Sequence, residues 1–316
     1  VFSSIITPDL FASALRMATP LALAAIGGTI CERSGVVNIA LEGMMLTGAF
    51  FGTVLTLATG SPWIGVLAGI LSGVVVAAIH AFASINLRAD QVVSGTAINI
   101  LALGVTGFMM ERLYGHPGTT DPSAMLRPIF NFPDPAGFMG GVWHWINVVV
   151  FSHTPIVYIA IIIAIFAQWA MYKTRWGLRL RALGEHPRAA DTVGINVLRG
   201  RWVAVLISGG LAGLAGANLT LEQVGSFTEN MTNGRGFIAL AANIFGRWTP
   251  VGSYLASLLF GFADALQIKL QAFRGQIDIP PQFFLMLPYV LTVIVLAGVI
   301  GRSIGPAAVG KPYEKE

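Results

Sequence analysis

Apolar residues run along most of this chain in stretches of about 20, broken by short clusters of charge, glycine and proline. A helix rising 1.5 Å per residue needs that length to cross a hydrocarbon core about 30 Å thick. Strands of a membrane barrel would instead alternate polar and apolar residues, and these runs do not. The pattern predicts an all-α, polytopic transmembrane helical bundle of about 8–10 spans. The spans are expected at 10–31, 36–57, 62–85, 91–111, 154–172, 202–221, 250–271 and 282–300, and a shorter run at 236–247 adds a ninth, partial crossing.

Charge placement orients these spans. With the N-terminus outside, cytoplasmic segments hold Arg33, Arg88, Lys173, Arg175, Arg179, Arg181, Arg188, Arg199, Arg201, Arg247, Arg302, Lys311 and Lys315. Arg112, Arg127, Arg235, Lys269 and Arg274 then fall outside, and Arg16 sits near the outer end of the first span, where it can snorkel. Thirteen of the 19 basic residues thus lie on one side, which predicts an N-terminus outside and a cytoplasmic C-terminus, provided 236–247 crosses. No basic residue precedes Arg16 and no small-residue cleavage site stands out, so the first run reads as a retained membrane helix.

Composition agrees with burial in lipid. Of 316 residues, 55% are hydrophobic and only 11% charged, too few charges to cover a soluble protein of this size. The net charge of +4 is explained by the cytoplasmic loops, so no nucleic acid partner is expected. Cys31 stands alone, which excludes an intrachain disulfide framework and suits a small buried hydrophobe. Glycines spaced by four, at 48 and 52, at 65, 69 and 73, and at 209 and 213, predict helices packed closely within one bundle.

Two long polar stretches differ in kind. Residues 112–153 carry five prolines with Trp143 and Trp145 and read as an ordered external loop. Residues 173–201 are densely basic. Within them Pro187 suits the first turn of a helix and Gly194 its end, which predicts a short helix over Pro187–Val193. That helix is either a docking element for a cytoplasmic partner or part of a solvated loop. No linker or low-complexity tract divides the chain, so residues 1–316 are expected to form a single transmembrane domain.

Polar residues interrupt the spans themselves. Glu32 and Arg33 adjoin Ser34 and Gly35, where a wet turn at the inner surface is natural. Glu42 lies inside the second span, where an unpaired carboxylate costs at least about 2.5 kcal/mol. Four residues separate Asn38 from Glu42, which places both on one face of a continuous helix. Ser94, Thr96, Asn99, Asn218, Glu222, Asn243 and Asp264 are similar insertions in other spans. Several carboxylates and amides spread over different helices fit a solvated passage; the alternative for Glu42 is a paired or protonated group that holds helices together.

Catalytic chemistry finds little support. The five histidines show no HExxH or short ligand spacing, so no metal is expected. GPAAVGKP at 305–312 imitates a phosphate-binding loop, but Pro312 replaces the required hydroxyl and no strand precedes it. No cofactor is expected.

The blocks ERSGVVNIALEGMM, RADQVVSGTAINILALG, GLRLRALGEHPRAADTVGIN and GFIALAANIFGRWTPVGS occur in this order along nearly the whole chain. Together they resemble permease subunits of bacterial ATP-binding-cassette (ABC) importers in the branched-chain amino-acid, ribose and nucleoside superfamily, nearest the simple-sugar and nucleoside group. The inner loop resembles the EAAxxxG coupling motif of such permeases: Ala189, Ala190 and Gly194 keep its spacing, Arg188 stands at the glutamate position, and Glu185 lies three residues earlier, with Asp191 following the two alanines. The resemblance implies a second permease subunit, identical or different, cytoplasmic ABC ATPase domains that hydrolyse ATP, and an extracytoplasmic substrate-binding protein. The first two spans and the pair 236–247 with 250–271 also suggest two parallel repeats.

These observations point to a non-enzymatic permease in the bacterial inner membrane that carries a small polar solute, a nucleoside or simple sugar. Asn38, Glu42, Ser94, Asn99, Asn218, Glu222 and Asn243 are the expected path residues. An ion-coupled secondary transporter using Glu42, Glu222 or Asp264 is the alternative, and a scaffold that carries no solute is a third reading.

Overall fold

The computed structural model describes residues 6–130, 132, 138–272 and 304–314, with positions 283, 286, 290 and 294. The span expected at 282–300 lies outside this description apart from those isolated positions, as do Arg274, Arg302 and Lys315. Eleven α-helices follow one another among the described residues: α1 Pro8–Arg33, α2 Leu41–Thr59, α3 Pro62–Ala81, α4 Gln91–Tyr114, α5 Phe138–Ile146, α6 Pro155–Lys173, α7 Arg175–Glu185, α8 Pro187–Thr192, α9 Val197–Asn218, α10 Arg235–Phe245 and α11 Pro250–Ala272. Single π turns extend α3 to Asn86 and α9 to Val224. The helices α1, α2, α3, α4, α6, α9 and α11 are long and apolar enough to cross a membrane, and each overlaps one of the spans expected from the sequence, α2 starting five residues later than expected, at Leu41.

α1 is the central element. From Ala18 to Glu32 every residue is buried, as expected for a helix apolar all round that packs against α6, α9, α10 and α11. α3 and α4 instead keep one apolar face outward, through Leu67, Leu71 and Val75 and through Ile100, Leu103 and Phe108. The glycine spacing acts inside the bundle: a Cβ at Gly213 of α9 would collide with the Gly69 carbonyl of α3, and one at Gly48 of α2 with Gly213. Backbones approach where side chains are missing, so small residues take the place of the hydrophobic drive that lipid removes. Cys31 is a fully buried, free thiol in this core.

The polar stretches are structured. Residues 120–126 run against the end of α9, with Thr120, Ser123 and Leu126 amides bonded to Phe227, Gly225 and Leu221 carbonyls at 2.9, 2.7 and 2.9 Å. At this end Trp145 of α5 packs on Phe11, their ring centroids 5.9 Å apart. The basic stretch 173–201 contains the predicted short helix as α8, preceded by α7, whose Leu180 and Leu183 are buried. α10, with 11 residues, rises only about 16 Å, half a bilayer. Yet Glu229 bonds Gly118 at one end of the bundle while Arg247 and Trp248 meet Arg33 at the other. The segment 229–248 therefore traverses the bundle, half as helix and half as irregular chain. The two suggested repeat units are consequently unequal, since a 26-residue helix occupies the place of an 11-residue one.

Candidate translocation and coupling sites

Between α1 and α2 the chain stops being helical. Gly35 takes φ +96°, and α2 begins only at Leu41. Asn38 therefore precedes the helix, and the expectation that it shares a helical face with Glu42 is corrected. β-Branched Val36, Val37 and Ile39 after a left-handed glycine disfavour a continuous helix. Exposed backbone polar groups at this depth need partners, and three neighbouring side chains supply them. Gln91 accepts from the Val37 amide at 2.7 Å, His80 Nε2 lies 3.0 Å from the Val37 carbonyl, and Asn99 bonds both the Ile39 carbonyl, at 3.0 Å, and the Gly43 amide, at 2.8 Å. Ser94 in turn lies 3.1 Å from His80 Nδ1. Ser94 and Asn99 thus support the interruption, whereas Thr96 faces outward and bonds its own helix at Val92.

Glu42 faces the start of α10. Its two oxygens accept the amides of Gly234, at 2.8 Å, and Gly236, at 2.6 Å, which places a carboxylate on the positive end of that half-helix. Glu222 does the same for α6: Pro155 opens the helix without an N–H, and the next amide, of Ile156, donates to Glu222 at 2.9 Å. Asn218 donates to the other oxygen of Glu222 at 2.5 Å. Asn38 instead donates to Ser208 of α9 at 2.9 Å, and its own oxygen has no partner among the described residues. Asp264 is half-buried on α11.

Asn243, near the other end of α10, belongs to a network reaching α1 and α11. Its oxygen accepts from Thr29 at 2.7 Å, Thr29 pairs with Ser253 at 2.7 Å, and its amide donates to Glu32 at 2.9 Å. Trp248 donates its indole N–H to the same Glu32 oxygen. The wet turn expected for Glu32 and Arg33 is thereby corrected: Glu32 is 7% exposed and Arg33 packs on the exit of α10. Their adjacency to Ser34 and Gly35 suggested solvent; no local signal in the sequence reveals that a segment 210 residues later covers them.

Around α8 the residues expected to couple to an ATPase divide. Arg188, Ala189, Thr192 and Gly194 face outward, and Val193 is 75% exposed. Gly194 takes φ +82°, the left-handed conformation expected beyond a helix end. Ala190 faces inward in a small cluster with Leu183, Val197 and Tyr313. Asp191 is partly buried, with its carbonyl accepting the Gly194 amide at 2.9 Å. Glu185, at the end of α7, lies 3.7 Å from Arg33 and accepts from the Ala307 amide at 3.3 Å. The tail 304–314, read from sequence only as a false phosphate loop, packs here: Ala308 bonds Gly184 at 2.8 Å, Glu314 pairs with Arg88 at 2.6 Å, and the buried Arg201 donates to the Lys311 carbonyl at 3.0 Å. Tail and α8 flank a groove of about 690 Å³.

The described residues contain no cluster of three or more side chains that could hold a metal ion. Comparison with known proteins adds the relationship. The family model for the permease component of branched-chain amino acid transport systems matches residues 10–296. The guanosine ABC transporter permease protein NupQ of Bacillus subtilis is 43% identical, over 99% of this chain and 97% of that protein. The nucleoside ABC transporter permease protein NupC of Lactococcus lactis is 40% identical over 96% of each. A second Bacillus subtilis protein, the guanosine ABC transporter permease protein NupP, is 27% identical over 78% of this chain and 70% of its own.

Proposed function

The chain belongs to the permease-component family of branched-chain amino acid transport systems, and from that premise we propose that it is the membrane path of an ATP-driven importer for nucleosides. The observation that carries the substrate class is near-complete alignment, at 43% and 40% identity, with permeases named for guanosine and nucleosides. A nucleoside joins a flat base to a hydroxyl-rich sugar, so its path needs amides and hydroxyls among apolar walls without a cluster of fixed cations. Asn38, Ser94, Asn99, Asn218 and Asn243, among Ala, Gly, Leu and Met, supply that mixture.

The reading treats residues 1–316 as one permease domain in a bacterial inner membrane, N-terminus outside and C-terminus cytoplasmic. An extracytoplasmic binding protein delivers solute, and separate cytoplasmic ATPase subunits dock on α8. That two permeases from one organism, NupQ and NupP, are both similar to this chain supports a partner permease different from it. The interrupted segment 34–40 is flanked by Arg33 and Glu42, which both bond segment 229–248, and in this reading the two segments border the path, because irregular backbone at membrane depth is tolerated where it is buried in protein or lines a cavity. Asn38, Glu42, Ser94, Asn99, Asn218, Glu222 and Asn243 bond to protein groups in the arrangement described here; in the solute-bearing state some of these bonds are exchanged for solute or water.

Reconstitution with ATPase, binding protein and partner permease tests the proposal. ATP-dependent uptake of radiolabelled nucleosides is expected, with nucleoside monophosphates and branched-chain amino acids competing poorly. Better competition by either of those classes, or uptake driven by a proton gradient without ATP, overturns it. Val193→Asp is expected to reduce ATPase co-purification about tenfold by placing a charge on the exposed apolar tip of the coupling loop. A cysteine at position 38, in a Cys31→Ser background, is expected to react with a water-soluble thiol reagent at a rate that nucleoside changes.

A further inference from the structure

At the inner end of α10 the chain leaves the helix through Arg247 and Trp248, with φ of 53° and 51°. Two successive side-chain-bearing residues in the left-handed region are strained, and such a turn persists only where its surroundings hold it. Here the surroundings are the last two residues of α1. Arg33 donates from Nε to the Trp248 carbonyl at 2.8 Å and from Nη2 to the Arg247 carbonyl at 3.2 Å. Glu32 holds the Trp248 indole and the Asn243 amide. The third nitrogen of the same guanidinium, Nη1, lies 3.7 Å from Glu185, two residues before α8 begins. One planar fork therefore joins the strained exit of the half-helix to the segment that carries the coupling helix, a geometry that a lysine ammonium cannot reproduce.

We infer that Arg33 is a positioning residue that transmits movement of α7 and α8 to α10. This deepens the importer reading and rests on it. When the cytoplasmic partner displaces α8, Glu185 draws the guanidinium away from the two carbonyls. The left-handed turn then loses the two Arg33 bonds and is held by Glu32 and its own backbone bonds alone, and the inner end of α10 shifts while Glu42 keeps its outer end on α2. The half-helix pivots, and the path opens at its inner mouth. The two-state element is the turn at 247–248, and both ends of the link bias it.

The test uses the complete reconstituted complex carrying Arg33→Gln, Arg33→Lys or Glu185→Gln. Expected for Arg33→Gln is assembly with the ATPase, hydrolysis stimulated by the binding protein within about twofold of the unaltered complex, and uptake per ATP reduced about tenfold or more. Arg33→Lys, which keeps charge without the fork, is expected between the two, and Glu185→Gln shows a smaller drop in the same ratio. Amide hydrogen exchange at 246–249 is expected to quicken in Arg33→Gln without ATP, and in the unaltered complex only when ATP is supplied. A purely structural clamp would lower the amount of folded complex and leave uptake per ATP unchanged; that result overturns the inference. If Arg33→Gln does not fold, Glu185→Gln, whose side chain is exposed, decides the matter, and an unchanged ratio there overturns the inference as well. Absence of ATP-dependent uptake in the unaltered complex is a different failure: it removes the importer reading and takes this inference with it.

Discussion

In two spans an asparagine precedes a glutamate by four residues, Asn38 before Glu42 and Asn218 before Glu222. The second pair lies in a helix that continues through both residues by way of a π turn, and the two side chains meet at 2.5 Å. The first pair straddles a break in the chain; Asn38 faces α9, Glu42 faces α10, and they do not bond each other. The i, i+4 relation puts two side chains on one face only where the intervening backbone is helical. Both glutamates nevertheless end in the same role, on the N-terminal amides of another helix, because an aligned set of unpaired N–H groups in an apolar bundle stabilises any carboxylate that reaches it.

The pairs differ in how much each glutamate carries, which orders the expected losses. Glu42→Ala leaves two amides of α10 without an acceptor and is expected to cost about 4 kcal/mol, seen as a large fall in the thermal midpoint of the detergent-purified protein. Glu222→Ala leaves only one helix amide without an acceptor, its other partners being the Asn218 and Thr154 side chains, which can turn to other groups, for about 2 kcal/mol. A reversal of this order would mean that α10 is not held through its start. Asn38→Ala is expected to cost least, about 1 kcal/mol, because it removes a neutral bond to Ser208 and a long one to Met44 Sδ, together with an oxygen that lacks a partner among the described residues. A double-mutant cycle with Ser208→Ala sharpens this point: the two losses should not add, and full additivity would remove the bond from the account.

Much of the architecture was legible in the residues. Apolar runs about 20 residues long must cross as helices because lipid offers no partner to backbone groups, so the spans now seen as α1, α2, α3, α4, α6, α9 and α11 followed from length and hydropathy. Pro187 and Gly194 bracketed α8 because a missing N–H and a permissive φ act locally. The glycine stripes foretold close packing for the same reason, since the absence of a side chain is a property of the position itself.

Partnership is where the sequence ran out. The polar character of Glu42, Glu222 and Asn243 was visible, yet each acquires its role from a group far away in the chain: Glu42 from Gly234 and Gly236, Glu222 from Ile156, Asn243 from Glu32 and Thr29. The break at 34–40 was hidden because Val36, Val37 and Ile39 are apolar and continue the hydropathy of a span; only Gln91, His80 and Asn99, brought alongside, satisfy its backbone. Glu32 and Arg33 looked like a wet turn until Trp248 and Arg247 closed over them. Hydropathy decides which segments enter the membrane because each segment meets lipid by its own composition. Which carboxylate caps which helix depends on contacts across as many as 194 residues, and those exist only once the helices have packed.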